Sequence, residues 1–303
     1  MSELLSPPPN SVGIRLTQTQ KDLIGGSMGG MAQVLVGQPF DIVKVRVQTA
    51  PSGMYASPIH CAVKLFKSDG PLGFYKGTLT PLLGIGACVS IQFGALEWAK
   101  RYFNARAKGR ELNLGELWMS GAFAGAANTI IANPVENIRI RLQTQPDVTP
   151  RMYNGPLDCA AKLYKNGGLG GLFKAQVSTM WRDGVGYGCY FMAYEALVQK
   201  YIQSTGLKRE DISPLWAVTY GAIAGYALWL SIYPVDVIKS KLQTDSLEPS
   251  RQIYKGMIDC ARQTWRAQGV KGFLGGLAPT LIRSPFANGA TFVAFEMAMR
   301  TMN

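Results

Sequence analysis

Four stretches of the chain carry no charged residue: 23–40, 77–96, 117–135 and 212–235, of 18, 20, 19 and 24 residues. Each approaches or exceeds the roughly 20 residues with which an apolar helix crosses a bilayer. Two more stretches, about 175–201 and 274–299, are as long and as apolar but are interrupted near the middle, by Arg182 and Asp183 in one and by Arg283 in the other. The pattern predicts an all-α membrane protein with six transmembrane helices. Between the two helices of each successive pair lies a polar segment with a helical apolar stripe, at 59–67, 157–165 and 258–266. Such segments are expected to lie as short amphipathic helices along the membrane surface.

A phrase repeated three times closes the first helix of each pair. A proline is followed by an acid two residues on, bases five and seven on, and a glutamine nine on. The copies are Pro39, Asp41, Lys44, Arg46 and Gln48; Pro134, Glu136, Arg139, Arg141 and Gln143; and Pro234, Asp236, Lys239, Lys241 and Gln243. Three copies of one unit follow, at 21–106, 113–203 and 213–301, after a flexible N-terminal segment at 1–20. The first helix of each repeat carries a GxxxG pair (Gly26 and Gly30, Gly121 and Gly125, Gly221 and Gly225), which predicts close helix packing in all three.

Composition refines this picture. Charged residues make up 17% of the chain and glycines number 34, which suits helices that enclose a wet interior rather than helices packed wholly against lipid. A net charge of +12 is compatible with nucleic acid, anionic lipid or an anionic solute. The bases stand beside the repeated phrase and between apolar spans, however, without the aromatic-interleaved basic face of a nucleic-acid reader, so nucleic acid is not an expected partner. Cysteines at 61, 88, 159, 189 and 260 form no CxxC pair, and the single histidine is His60. Metal sites and disulfide frameworks are therefore unsupported, and Cys61, Cys159 and Cys260 read as small residues on buried helix faces. No nucleophile and base come together in the pattern, so no catalytic residue is assigned and an enzyme is not expected. The first 20 residues lack both the apolar core of a signal peptide and an Arg-rich amphipathic presequence, so targeting information is expected to be internal.

The threefold phrase, followed after the surface helix by Asp69 and Gly70 and then Tyr75, Lys76 and Gly77, resembles the signature of the mitochondrial carrier family across residues 20–301. The second pattern fades to Gly167, Gly168, Phe173, Lys174 and Ala175 in repeat two and to Gln268, Gly269, Leu274, Gly275 and Gly276 in repeat three. Within the family, the segment 37–49, Arg182 and Asp183 with Tyr190 to Glu195, and Arg283 with Ala287 to Glu296 are similar to the carnitine/ornithine branch, and to its fungal organic-acid and amino-acid carriers in particular. The resemblance implies a threefold pseudosymmetric six-helix bundle, multi-pass in the mitochondrial inner membrane, with both termini facing the intermembrane space. It further implies alternation between two accessible states, a monomer, membrane lipid as a partner, and no cofactor, with cardiolipin as the structural lipid to consider.

A proline kink in each odd-numbered transmembrane helix would bring three helix ends together, so that Asp41, Glu136 and Asp236 meet Arg139, Lys239 and Lys44 of neighbouring repeats and close a matrix gate. The family implies that Gln48, Gln143 and Gln243 brace these pairs. The opposite, cytoplasmic gate is only partly present: Glu97 and Lys100 are both there, whereas Glu195 and Glu296 lack the base three residues on, having Val198 and Met299. A weak cytoplasmic gate and a readily populated cytoplasm-open state are expected.

Thirteen residues before Glu97, Glu195 and Glu296 stand Gly84, Arg182 and Arg283. Mid-span charges are costly against lipid and are expected to face a cavity. Two guanidinium groups suit a carboxylate, Asp183 suits an ammonium group, and Gly84 leaves space. Arg182 and Asp183, about 100° apart on a helix, are not expected to pair with each other. Trp181, Tyr187, Trp229 and Asn288 are further candidates for the cavity wall. The expected solute is an amino acid or a related zwitterionic or organic-acid metabolite, taken by exchange; the alternatives are a carnitine/acylcarnitine exchanger and a non-transporting membrane scaffold.

Overall fold

The computed structural model describes residues 17–51, 53–107, 109–145, 151–207 and 211–302. Six long helices, α1 (Gln18–Thr49), α3 (Leu79–Ala107), α4 (Leu114–Thr144), α6 (Gln176–Thr205), α7 (Pro214–Thr244) and α9 (Leu277–Met302), alternate with three shorter ones, α2 (Pro58–Asp69), α5 (Pro156–Leu172) and α8 (Met257–Gln268). The chain is all-α, with three repeats of long, short and long helix. Thr17 and Gln20 cap α1 reciprocally, so residues 18–20, read from the sequence as part of a flexible segment, open the first helix instead. The rest of that segment, 1–16, lies outside the described residues.

The long helices close into a ring: α1 packs on α3, α3 on α4, α4 on α6, α6 on α7, α7 on α9, and α9 back on α1. By length and composition alone, Pro71–Ala107 and Leu215–Thr244 are apolar enough to cross a membrane. The other long helices spend part of their apolar budget on an inward polar face. Gln38, Lys44, Asn133, Asn137, Gln143 and Asp183 are buried in them, as are Asp236, Lys239 and Gln243 beyond Pro234 of α7, whereas Leu35, Leu83, Ile130, Leu230 and Val293 are exposed. Such an inverted distribution is what a bilayer around a polar interior requires.

The glycine pairs diverge from their common spacing. An added Cβ would fall 2.4 Å from Ile85 at Gly30, and 2.7 and 2.3 Å from backbone oxygens of Tyr187 and Asp183 at Gly121 and Gly125. Close packing thus holds at both glycines of the second repeat and at Gly30 of the first, whereas Gly26 has only an ordinary contact of 3.9 Å with Val89. Gly221 and Gly225 instead face the interior, where an added Cβ would find ordinary contacts of 3.7 and 3.5 Å.

Prolines 39, 134 and 234 lie inside α1, α4 and α7, where each removes a backbone donor and bends the helix. Each short helix packs against the half beyond the proline of its own repeat: Cys61 and Leu65 meet Ile42 and Val43, Cys159 and Leu163 meet Leu142, and Cys260 meets Ile238 and Leu242. Burial pushes all three thiols up, to about 12 for Cys159 and about 11 for Cys260, so they are packing groups with little thiolate character. Gly70, Gly168 and Gly269 end the short-helix segments at positive φ of 66°, 58° and 57°, a conformation glycine adopts without strain.

Candidate functional site

At the kinked end the repeated phrase assembles a ring of charge. Lys44 of α1 meets Asp236 of α7 at 2.7 Å, Arg139 of α4 meets Asp41 of α1 at 2.8 Å, and Lys239 of α7 meets Glu136 of α4. Every pair joins two repeats. Proline bending supplies the convergence, and the acid-to-base spacing of three residues puts each repeat's acid and base on adjacent parts of one helix face, free to reach in opposite directions.

The two mid-span arginines do not stand apart from this ring. Arg283 of α9 places Nε 2.8 Å from Asp41 Oδ1. Arg182 of α6 contacts both carboxylate oxygens of Glu136 at 3.0 Å and Asp236 at 3.4 Å. It also contacts its neighbour Asp183 at 2.6 Å, contrary to the expectation from helical spacing. The 100° between successive residues governs Cβ directions, and a guanidinium on a four-bond stem folds back across that angle. Asp183 is 6% exposed, and Arg182 is the one cation in salt-bridge contact with it among the described residues, Lys239 acting on it from farther off. Lys44, Arg139, Lys239, Arg182 and Arg283 therefore face Asp41, Glu136, Asp183 and Asp236, and the cluster carries one formal positive charge in excess.

These groups floor a cavity of about 880 Å³ that runs along the bundle axis past Tyr187, Trp229 and Asn288 to Tyr194 and Phe295. Two sequence-derived wall candidates lie elsewhere. Trp181 is exposed on the outer face, and Gly84 packs against Val135 of α4, where an added Cβ would sit 2.9 Å from a side-chain carbon. Gly84 thus supplies helix contact rather than cavity space, and α3 offers Gln92 and Phe93 to the cavity instead. One face of Trp229 is covered by the Lys44 ammonium, 4.2 Å from the ring centroid, so that face is closed to a quaternary ammonium group.

The three glutamines also part company. Gln48 donates to Asp236 Oδ2 at 3.1 Å and to Tyr233 Oη at 3.2 Å, bracing the Lys44 pair. Gln243 donates to Asn133 Oδ1 at 2.8 Å rather than to a ring carboxylate. Gln143 is buried, and neither atom of its side-chain amide has a hydrogen-bond partner among the described residues. At the opposite end, Glu97 is exposed and Lys100 half-buried, Glu195 is half-buried, and Glu296 pairs with Arg300 of its own helix at 3.0 Å. The base four residues on, rather than three, serves Glu296.

Sequence reasoning missed the residues just before the prolines. Gln38, Asn133 and Tyr233 differ in type, yet each donates to the main-chain oxygen at the equivalent position ahead of the second long helix: Lys76 at 2.8 Å, Lys174 at 3.4 Å and Gly275 at 2.9 Å. Gln38 further accepts from Arg139, and Asn133 from Thr179 at 2.8 Å. Their common burial and position were legible; their common partner was not, because no shared side-chain chemistry marks it. The following residue takes positive φ in all three repeats, 77° at Gly77, 60° at Ala175 and 80° at Gly276.

A family model described as mitochondrial carrier protein matches residues 17–107, 110–205 and 210–303. The chain is 44% identical over 284 residues to a glutamate/glycine mitochondrial carrier of Schizosaccharomyces pombe, covering 93% of this chain and 94% of that protein. It is 45% identical over 287 residues to a mitochondrial glycine transporter of Saccharomyces cerevisiae, covering 93% and 91%. A mitochondrial basic amino acids transporter of Bos taurus is 39% identical over 280 residues, covering 92% and 91%.

Proposed function

The chain belongs to the mitochondrial carrier family, and from that premise we propose that it exchanges amino acids across the mitochondrial inner membrane by alternating access. The observation that carries this reading is the convergence of Arg182, Asp183 and Arg283 on the floor of one cavity, in direct contact with the ion-pair ring. Two guanidinium groups hold a carboxylate in paired hydrogen bonds. Asp183 can take the α-ammonium once the solute carboxylate has drawn Arg182 away from it. Relatives named for glycine, glutamate and basic amino acids support the amino-acid class. The complete ring argues against a scaffold that has lost its cycle.

The mechanism follows from shared counter-ions. Asp41 is held by Arg139 and Arg283, and Glu136 by Lys239 and Arg182. A solute carboxylate that takes the two arginines leaves each ring acid with one cation. The ring weakens as the solute is held, so binding energy offsets gate opening. We place the ring at the matrix face, both termini at the intermembrane-space face, and a single chain as the working unit.

Purified protein in liposomes preloaded with unlabelled amino acids, carnitine, dicarboxylates or nucleotides tests the reading. Counter-exchange confined to amino acids is the expected result. Uptake of carnitine, dicarboxylates or nucleotides alone would show that the arginines and Asp183 have been assigned the wrong solute.

A further inference from the structure

Arg283 reaches Asp41 by lying across one turn of α1. Gly37 and Asp41 are four residues apart, so they stand one above the other on the same helix face. The guanidinium occupies the room that any side chain at Gly37 would need: an added Cβ would fall 2.5 Å from Arg283 Nε, 2.8 Å from a terminal nitrogen and 3.0 Å from Cζ. Gly37 is itself buried, and the three atoms nearest that position all belong to the Arg283 side chain. A methyl group there would displace the arginine head rather than separate the helices.

The other repeats carry a side chain at this position. The residue two before each proline, and four before each ring acid, is Gly37, Ala132 and Ile232. On the acid one turn below, Arg283 stands 2.8 Å from Asp41, whereas a single guanidinium, that of Arg182, is shared between Glu136 at 3.0 Å and Asp236 at 3.4 Å.

We propose that Gly37 is the positioning residue for Arg283: its missing side chain lets the guanidinium lie flat on α1, between Asp41 and the cavity, at the height where the solute carboxylate is taken. The proposal rests on the amino-acid exchange reading above. A methyl group at residue 37 pushes the guanidinium by about 1 Å to reach ordinary contact, and a misplacement of that size in a binding constellation costs up to about a hundredfold.

The test is a double-mutant cycle in reconstituted liposomes, with radiolabelled glycine and glutamate as probes. Gly37→Ala is expected to raise KM about tenfold or more, with Vmax within about twofold of wild type and the unfolding temperature in detergent unchanged. In an Arg283→Lys background, where the planar head that meets the methyl group is gone, Gly37→Ala should change KM little further. Gly29→Ala is the packing control, because its Cβ would fall 2.9 Å from the backbone oxygen of Thr291 on the same helix partner; it should lower the unfolding temperature and leave KM unchanged. A Gly37→Ala protein with wild-type KM, or one that loses stability with KM fixed as Gly29→Ala should, overturns the positioning role alone. Full exchange by Arg283→Ala, or no exchange of either amino acid by wild type, overturns the site reading and the positioning role with it.

Discussion

Arg182 touches three carboxylates on three helices, and its removal separates stability from transport. Arg182→Ala leaves Glu136 with Lys239 and Asp236 with Lys44, but it leaves Asp183, 6% exposed, with no cation in salt-bridge contact among the described residues and only the more distant Lys239 to offset its charge. Breaking a buried pair from one side costs about 3–5 kcal/mol, because the remaining charge stays buried. Adding Asp183→Asn removes that charge, so the double variant should recover most of the lost stability. Transport should not recover, since the carboxylate-binding fork is absent in both. Arg182→Lys grades the effect: an ammonium keeps the charge but cannot span Glu136 and Asp183 with one planar head. The loss of one charge-assisted hydrogen bond to the solute, about 1.5–3 kcal/mol, corresponds to a KM raised about 10- to 150-fold. Unfolding in detergent, followed with a thiol-reactive dye that the buried Cys61, Cys159 and Cys260 admit only on unfolding, gives the stabilities; initial rates of counter-exchange at graded amino-acid concentration give KM. Wild-type KM in Arg182→Lys, or transport restored by Asp183→Asn in the Arg182→Ala background, would refute a direct role for this guanidinium in holding the solute.

Ala175 is the one non-glycine residue at positive φ among the described residues, and Ala175→Gly should stabilise the protein by about 1 kcal/mol with exchange unchanged, a shift readable in the same unfolding assay. Gly125→Ala, which would press a methyl group on the Asp183 backbone, should destabilise by about 1–3 kcal/mol, whereas Gly225→Ala at the equivalent cavity-facing position should unfold within about 1 °C of wild type. The Lys174 ammonium donates to the carbonyl oxygens of Asp245 and Ser246 at 2.9 and 2.6 Å, and burial lowers it from its ordinary 10.5 to about 8. Between those values the unfolded chain holds the proton that the folded one has released, so this group makes stability rise with pH from about 8 to about 10.5. Lys174→Met should flatten that rise in unfolding temperatures measured across the same range.

The repeat, the spans and the ring partners were legible in the residues alone because each rests on local spacing repeated three times. Charge-free runs of bilayer length define the long helices, and one proline with an acid and a base three residues apart puts the same pair of charges at the same bend in every copy. Symmetry then requires each acid to meet a base of a neighbouring repeat, while the choice between the two neighbours belongs to the handedness of the bundle. What only the tertiary structure decided is where that symmetry breaks. Gly84, at the same register as Arg182 and Arg283, turns to Val135 because α3 packs on α4 there. Gln48 reaches a ring acid, Gln243 reaches Asn133 and Gln143 reaches neither, because Asp236, Asn133 and Arg139 take up different positions around them. Arg182 bends onto Asp183, and Gly37 matters only because Arg283 of the last helix closes the ring onto the first. Helix rotation and the reach of a long side chain are set by packing between separate segments of the chain, and spacing within one segment carries no record of them.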